Sequence, residues 1–253
     1  MILAGGLGTR LREETEFLPK PMVPIGAKPI LWHIMKSYSY YNFNDFVICA
    51  GYKADVIRDF FLNYQTKNSD FTVRLDSHKP PTLHQDITEA WQVTVSDTGI
   101  STQTGGRIHR IKQFIDGDTF LCTYGDGLTD LDIEKLVEFH YSHGRIATVS
   151  VARPLSRFGV LDITDENQVS KFREKPQADN WVNIGFFVFN IKVFEYLNEE
   201  SILEDLPLGE LAKLGELMAY KHDGFWQSMD TFREATILNE LWKSGKAPWK
   251  NWE

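Results

Sequence analysis

Met1-Ile2-Leu3-Ala4-Gly5-Gly6-Leu7-Gly8-Thr9-Arg10 opens the chain, and its reading decides the fold. Residues 1–4 predict a strand, stopped by Gly5-Gly6. The strand is short, and the reading places the native start a few residues upstream of Met1. Glycines directly after a strand permit positive φ and close backbone approach, so successive N–H groups can cradle an anion. Arg10 adds a bidentate phosphate clamp. The loop is not a Walker loop, because no Gly-Lys-Ser/Thr follows, and as a dinucleotide fingerprint it fails where Leu11 replaces the third glycine.

Outward from this turn, short β-branched or aromatic runs alternate with helical periodicity, the mark of a mostly parallel sheet covered by helices. Helices are predicted over 29–41, 54–64, 132–143 and 231–243, and core strands over 45–50 and 119–124. Further strands are expected over 71–75 and 92–96. Beyond residue 145 the style changes: 146–151, 159–163, 169–172 and 182–190 read as strands with little helix between them. The chain is therefore expected to be one domain over 1–253, with residues 1–145 as a nucleotide-binding half and 146–253 as a substrate-covering half. The tail Ala247-Pro248-Trp249-Lys250-Asn251-Trp252 is expected to pack on the surface or against a partner subunit.

With 253 residues, 42% hydrophobic and 25% charged, the composition is globular, and disorder and fibrous repeats are excluded. Thirty-five acidic against 27 basic side chains give a net charge of −8, which argues against a nucleic-acid partner. Local cations or a metal ion can still hold an anionic small molecule. Cys49 and Cys122 lie in apolar runs and suit a reducing cytoplasm. No targeting segment or membrane span is apparent, so a cytoplasmic location is expected.

Several residues have the chemistry of a phosphate site. Pro19-Lys20-Pro21 holds a lysine between two prolines, which restricts the backbone and aims its ammonium. With Arg10 it forms a cation pair suited to a triphosphate. Asp126 in Tyr124-Gly125-Asp126-Gly127 and Asp230 after Trp226-Gln227-Ser228-Met229 stand at strand ends, where α/β sheets place ligands. Two carboxylates are the usual protein share of a Mg²⁺ shell; the alternative is turn-forming Asp. Thr104-Gly105-Gly106-Arg107 is a second glycine pair beside a cation, otherwise a turn opening the amphipathic run 108–111. Asn183-Ile184-Gly185 interrupts an apolar strand, and a buried Asn needs partners such as sugar hydroxyls or a neighbouring strand.

Taken together, residues 2–11, Pro19-Lys20-Pro21-Met22, Gly125-Asp126-Gly127 and Glu174-Lys175-Pro176 resemble the sugar-phosphate nucleotidylyltransferases. Residues 95–99, 104–107, 224–231 and 247–250 extend the resemblance over nearly the whole chain. It implies an α/β, Rossmann-like nucleotidyltransferase (GT-A-like) mixed sheet flanked by helices, with a β-rich sugar-binding extension. It also implies CTP and α-D-glucose 1-phosphate as substrates, CDP-glucose and pyrophosphate as products, and Mg²⁺. A role in CDP-deoxysugar and surface polysaccharide (O antigen) synthesis follows, as does a homohexamer. Within the site, the resemblance assigns nucleotide binding to Leu3, Ala4, Gly5, Gly6, Gly8, Thr9, Arg10, Lys20, Thr104, Gly106, Arg107 and Gly125. Tyr124, Glu174, Lys175, Asn183 and Gly185 are assigned to the sugar phosphate, and Asp126 and Asp230 to the metal. Arg10, Lys20 and Asp126 carry the catalytic expectation. A uridylyl- or thymidylyltransferase would use the same motifs, and a catalytically silent nucleotide-sugar sensor is the reading from another class.

Overall fold

The computed structural model describes residues 1–253 apart from Thr9, Arg10, Arg12, Glu13, Glu14, Ser77, Asp86, Ile87, Arg157 and Glu253. Among the described residues the central sheet is built from β1 (Ile2–Ala4), β2 (Asp45–Ala50), β3 (Gln92–Asp97), β4 (Thr119–Tyr124), β5 (Ala147–Ala152), β6 (Val182–Asn190) and β7 (Leu217–Lys221). Their spatial order is β7-β5-β6-β4-β1-β2-β3. β1 pairs in parallel with both β2 and β4, while β6 runs antiparallel to β4 and β5, so the sheet is mixed.

Apolar runs such as Phe46-Val47-Ile48-Cys49-Ala50 follow from coverage on both faces, since strands buried on two sides have no polar side to alternate with. On one face Ile2, Ala4 and Ile48 join a cluster with residues of α1 (Ile30–Tyr40), α2 (Ala54–Leu62), α4 (Ile133–His143) and α6 (Phe232–Lys243). On the other, Leu3, Cys49, Cys122 and Phe187 pack with residues of α3 (Thr104–Arg110) and α5 (Leu206–Lys213). Both cysteines are buried and free, and burial pushes the Cys49 thiol up to about 12. The sequence offers Asp130 or Asp132 as N-cap of helix α4 and Gly144 just past its end; Asp132 is the cap, accepting the Lys135 N–H at 3.0 Å, and Gly144 closes the helix at φ 63°.

Three regions depart from the sequence reading. Thr104–Arg110 is a helix rather than a turn, and α5 with β7 fills a stretch to which the sequence assigned no element. Propensity is weak in Leu-Pro-Leu-Gly-Glu-Leu-Ala-Lys, and tertiary packing of Leu208 and Leu211 decides. The tail is not a surface feature either: Trp249 is fully buried in its own chain, stacked between Phe225 (5.7 Å) and Trp242 (6.4 Å).

His33 receives the tail. Its Nε2 lies 2.9 Å from the Ile25 carbonyl, and Trp249 donates Nε1–H to Nδ1 at 3.4 Å. Trp249 has only a donor, so the network assigns the Nε2–H tautomer, neutral. Burial, partly offset by the Ile25 and Lys28 carbonyls, lowers the His33 pKa to about 4. Buried His140 is likewise lowered to about 4 by burial and by His143. A depressed base stabilises the fold fully above its unfolded value near 6.5, and that contribution is lost as pH falls toward the folded value. Urea unfolding at pH 4.5 is therefore expected to show roughly 2.5 kcal/mol less stability from His33 than at pH 7.5. The drop should shrink in His33→Gln, and an equal drop in both proteins would refute the assignment.

Candidate functional site

From β1 the chain steps to β2 and β3 on one side, then returns to place β4 on the other side of β1. That reversal opens a crevice at the carboxyl ends of β1 and β4, where open α/β sheets bind ligands. Gly5 and Gly6 leave β1 there, Gly125 and Asp126 leave β4, and the cleft between them measures about 300 Å³.

Its floor is a charge cluster. Lys20, at the start of a 3-10 turn behind Pro19, donates Nζ–H to Asp126 Oδ2 at 2.6 Å and to Asp230 Oδ1 at 2.7 Å. The two carboxylates meet because Gly127–Thr129 pairs antiparallel with Trp226–Ser228, a ribbon extended by the Met229 N–H on the Asp126 carbonyl at 2.8 Å. Asp230 is fixed from behind: Glu234 Oε2 accepts its N–H at 2.8 Å and also closes the capping box of α6 with Thr231. Burial pulls the Lys20 ammonium down, the carboxylates outweigh it, and its pKa ends above the ordinary lysine value. Both carboxylates thus address one point already filled by a cation, which suits a hard divalent ion completing its shell with phosphate and water. Among the described residues no group of three or more His, Cys, Asp or Glu forms a closed metal cage.

Of the residues assigned to the nucleotide, Leu3, Ala4, Gly5, Gly6, Gly8, Lys20, Thr104 and Gly125 line the cleft; Thr9 and Arg10 lie outside the described residues. Arg107 also borders it, but its guanidinium is committed to the chain. Nη1 donates to the Ala50 and Gly99 carbonyls and the Thr98 hydroxyl at 3.2, 2.8 and 2.7 Å, and Nη2 to the Gly5 and Ile100 carbonyls at 2.9 and 3.3 Å. A Cβ on Gly5 would stand 2.0 Å from that Nη1. Arg107 therefore fastens the glycine turn to the 98–100 loop. Gly106 does not line the cleft: a Cβ there would meet the Glu199 carbonyl at 2.3 Å, so the glycine serves helix packing.

Tyr124 also lines the cleft. Asn183 Nδ2 donates to its hydroxyl at 3.4 Å, and Gly185, at φ 81°, lies under the ring, where a Cβ would come 2.3 Å from Cδ2. Asn183 and Gly185 thus reach the cleft through Tyr124. Glu174 and Lys175 do not line it; they sit 3.7 Å from each other at the end of an arm formed by Val160–Ile163 and Val169–Arg173. Thr102 and Gln103, just before the Thr104–Arg107 motif, and the Tyr124 partner Glu204, in a turn without a motif, were missed.

Residues 1–225 match the family described as Nucleotidyl transferase. The chain belongs to that family. It is 51% identical over 256 residues to "Glucose-1-phosphate cytidylyltransferase" of Salmonella typhi, covering 100% of this chain and 99% of that one. It is 42% identical over 254 residues, with the same coverage, to "Probable glucose-1-phosphate cytidylyltransferase" of Bacillus subtilis (strain 168). A structure of UDP-glucose pyrophosphorylase complexed with UDP-glucose superposes with a TM-score of 0.68 at 17% identity, over 96% of this chain and 97% of that one, which shows the fold. Family members of this kind generally use a divalent metal.

In the free protein Lys20 holds the place such a metal would compete for. Lys20→Met is expected to tighten Mn²⁺ binding without nucleotide about tenfold, because hydrogen bonds to charged groups worth roughly 1.5–3 kcal/mol no longer have to be broken. Titration followed by Mn²⁺ electron paramagnetic resonance reads this directly. Weaker or unchanged binding would show that Lys20 and the metal do not compete.

Proposed function

We propose that the protein transfers the cytidylyl group of CTP to α-D-glucose 1-phosphate, giving CDP-glucose and pyrophosphate. The observation that carries this reading is full-length 51% identity to a cytidylyltransferase. It is supported by a cleft that joins Lys20, Asp126 and Asp230 at a sheet switch point.

In the proposed reaction an oxygen of the sugar phosphate attacks the α-phosphorus of CTP. A new P–O bond forms, the bond to the β-phosphate breaks, and pyrophosphate departs with the electron pair. The attacking monoester is already anionic at neutral pH, so no general base is needed. The chain's task is positioning and charge neutralisation. Backbone N–H groups after β1 cradle the nucleotide phosphates, Arg107 fixes that loop's shape, and Arg10 and Lys20 neutralise the departing pyrophosphate. Asp126 and Asp230 would hold Mg²⁺, which when bound neutralises phosphate charge. Tyr124, Asn183 and Gly185 receive the glucose, with Glu174 and Lys175 reaching it from the arm.

The same reading extends to CDP-deoxysugar and surface polysaccharide synthesis in the cytoplasm. No helix of the described residues is long and apolar enough to cross a membrane. A homohexamer is part of the proposal: Leu155, Phe158, Ile163 and Phe172 on and beside the arm are 61–76% exposed, an apolar surface that a second copy would cover.

Pyrophosphate release from CTP, UTP, dTTP and ATP, each with glucose 1-phosphate and with or without Mg²⁺, tests the assignment. Metal-dependent release with CTP alone is expected, and Asp126→Ala should lower kcat at least about 10²-fold at saturating Mg²⁺. Release with UTP or dTTP instead would overturn the base, and silence with all four would favour a sensor. Separately, Phe158→Asp combined with Phe172→Asp should lower the mass found by sedimentation, and an unchanged mass would remove the arm from the interface.

A further inference from the structure

Glu204 sits in the turn before α5, and sequence gives it no role. Its carboxylate bridges two hydroxyls from opposite sides of the cleft wall: Oε1 accepts the Tyr124 O–H, and Oε2 accepts the Thr104 O–H at 2.7 Å. Tyr124 and Thr104 both line the cleft. The turn that carries Glu204 is tied to α3 by two further hydrogen bonds. Thr104 Oγ1 accepts the Leu203 N–H at 2.9 Å, Leu203 is fully buried, and the Gly106 N–H donates to the Ser201 carbonyl at 2.9 Å. Gly105 and Gly106 let α3 come this close, since a Cβ on either would run into Ser201 or Glu199.

An ionised carboxylate only accepts hydrogen bonds, so both hydroxyl protons are committed to Glu204. Toward the cleft, Tyr124 therefore offers lone pairs and no proton. Asn183 Nδ2, at 3.4 Å, engages that oxygen from one side only and leaves capacity for a second donor. A wall of acceptors backed by a negative charge repels phosphate and receives hydroxyl protons.

We propose that Glu204 is a positioning and specificity-determining residue that turns Tyr124 into an obligate acceptor for one sugar hydroxyl. It thereby sends the hydroxyl end of the sugar phosphate to this wall and the phosphate end toward Lys20. The inference rests on the proposed function, since it concerns the sugar subsite of that reaction.

The test compares the wild type with Glu204→Gln and Tyr124→Phe, using CTP with glucose 1-phosphate and its 2-, 3-, 4- and 6-deoxy analogues. A glutamine amide donates at one end, so it cannot hold both hydroxyl protons outward. In the wild type one analogue is expected to lose at least about tenfold in kcat/KM, as a site built to hold that hydroxyl requires. In Glu204→Gln and in Tyr124→Phe that penalty should fall to within about twofold of the other analogues. For Glu204→Gln the KM for glucose 1-phosphate should rise about tenfold while the KM for CTP moves less than about twofold. Uniform losses across all analogues, at an unchanged melting temperature, would reduce Glu204 to a structural strut and overturn the inference. So would a wild-type-like discrimination pattern in Glu204→Gln, or a change confined to the KM for CTP. A wild type inactive with CTP and glucose 1-phosphate would overturn the proposed function and this inference with it, whereas an active wild type with unchanged variants overturns this inference alone.

Discussion

Two carboxylates aimed at one point repel each other unless a cation stands between them, and the rest of the site is arranged around that constraint. Asp126 and Asp230 reach the same ammonium at 2.6 and 2.7 Å, yet the three residues are separated by 106 and 210 positions along the chain. Backbone bonds, not side chains, bring them together: the ribbon Gly127–Thr129 with Trp226–Ser228, and the Met229 N–H on the Asp126 carbonyl. The capping box of α6 then uses Glu234 twice, once to start the helix and once to hold the Asp230 N–H. A helix N-terminus thus doubles as the mount for a carboxylate.

The glycine turn depends on a second buried cation. Arg107 gives hydrogen bonds to five acceptors drawn from the ends of β1 and β2 and the loop after β3. A lysine has no planar fork and could not reach acceptors spread this widely. Burial pulls the guanidinium below its ordinary value, more than Cys49 and Asp97 restore, but a guanidinium remains charged. Four of its five acceptors are carbonyl oxygens, so their dipoles replace a counterion. Of the glycine turn itself, Arg107 thereby occupies the Gly5 carbonyl.

Much of the architecture was legible because it depends on local chemistry. The strand-turn-helix alternation, the caps Asp132 and Gly144, and Thr231 at the last helix are written in adjacent residues. The cleft residues of the first half were legible for the same reason, as glycines and charges at strand ends. What was hidden depends on distant contacts. Trp249 reads as a surface residue until His33, Phe225 and Trp242, up to 216 positions away, form its pocket. Arg107 and Gly106 read as nucleotide contacts because the resemblance assigns them so. Their actual neighbours, carbonyls at Gly5 and Glu199, carry no sequence mark. Glu204 was invisible because its turn is defined only by what it bridges.

A chain with a net charge of −8 can bind an anionic phosphate ester because the cleft is electrically uneven. At the Lys20 end an ammonium meets two carboxylates whose charge a divalent ion would reverse, and the glycine turn after β1 lines the same space. At the Tyr124 end the nearest charge is the Glu204 carboxylate, screened from the cleft by the two hydroxyls it holds. A ligand with phosphate at one end and hydroxyls at the other has one favourable orientation between these walls. The reverse pose would set phosphate against acceptors and hydroxyls against an ammonium that already has partners. In the proposed pose, orientation follows the direction of a few protons, and those directions are set outside the cleft, by a carboxylate that does not line it.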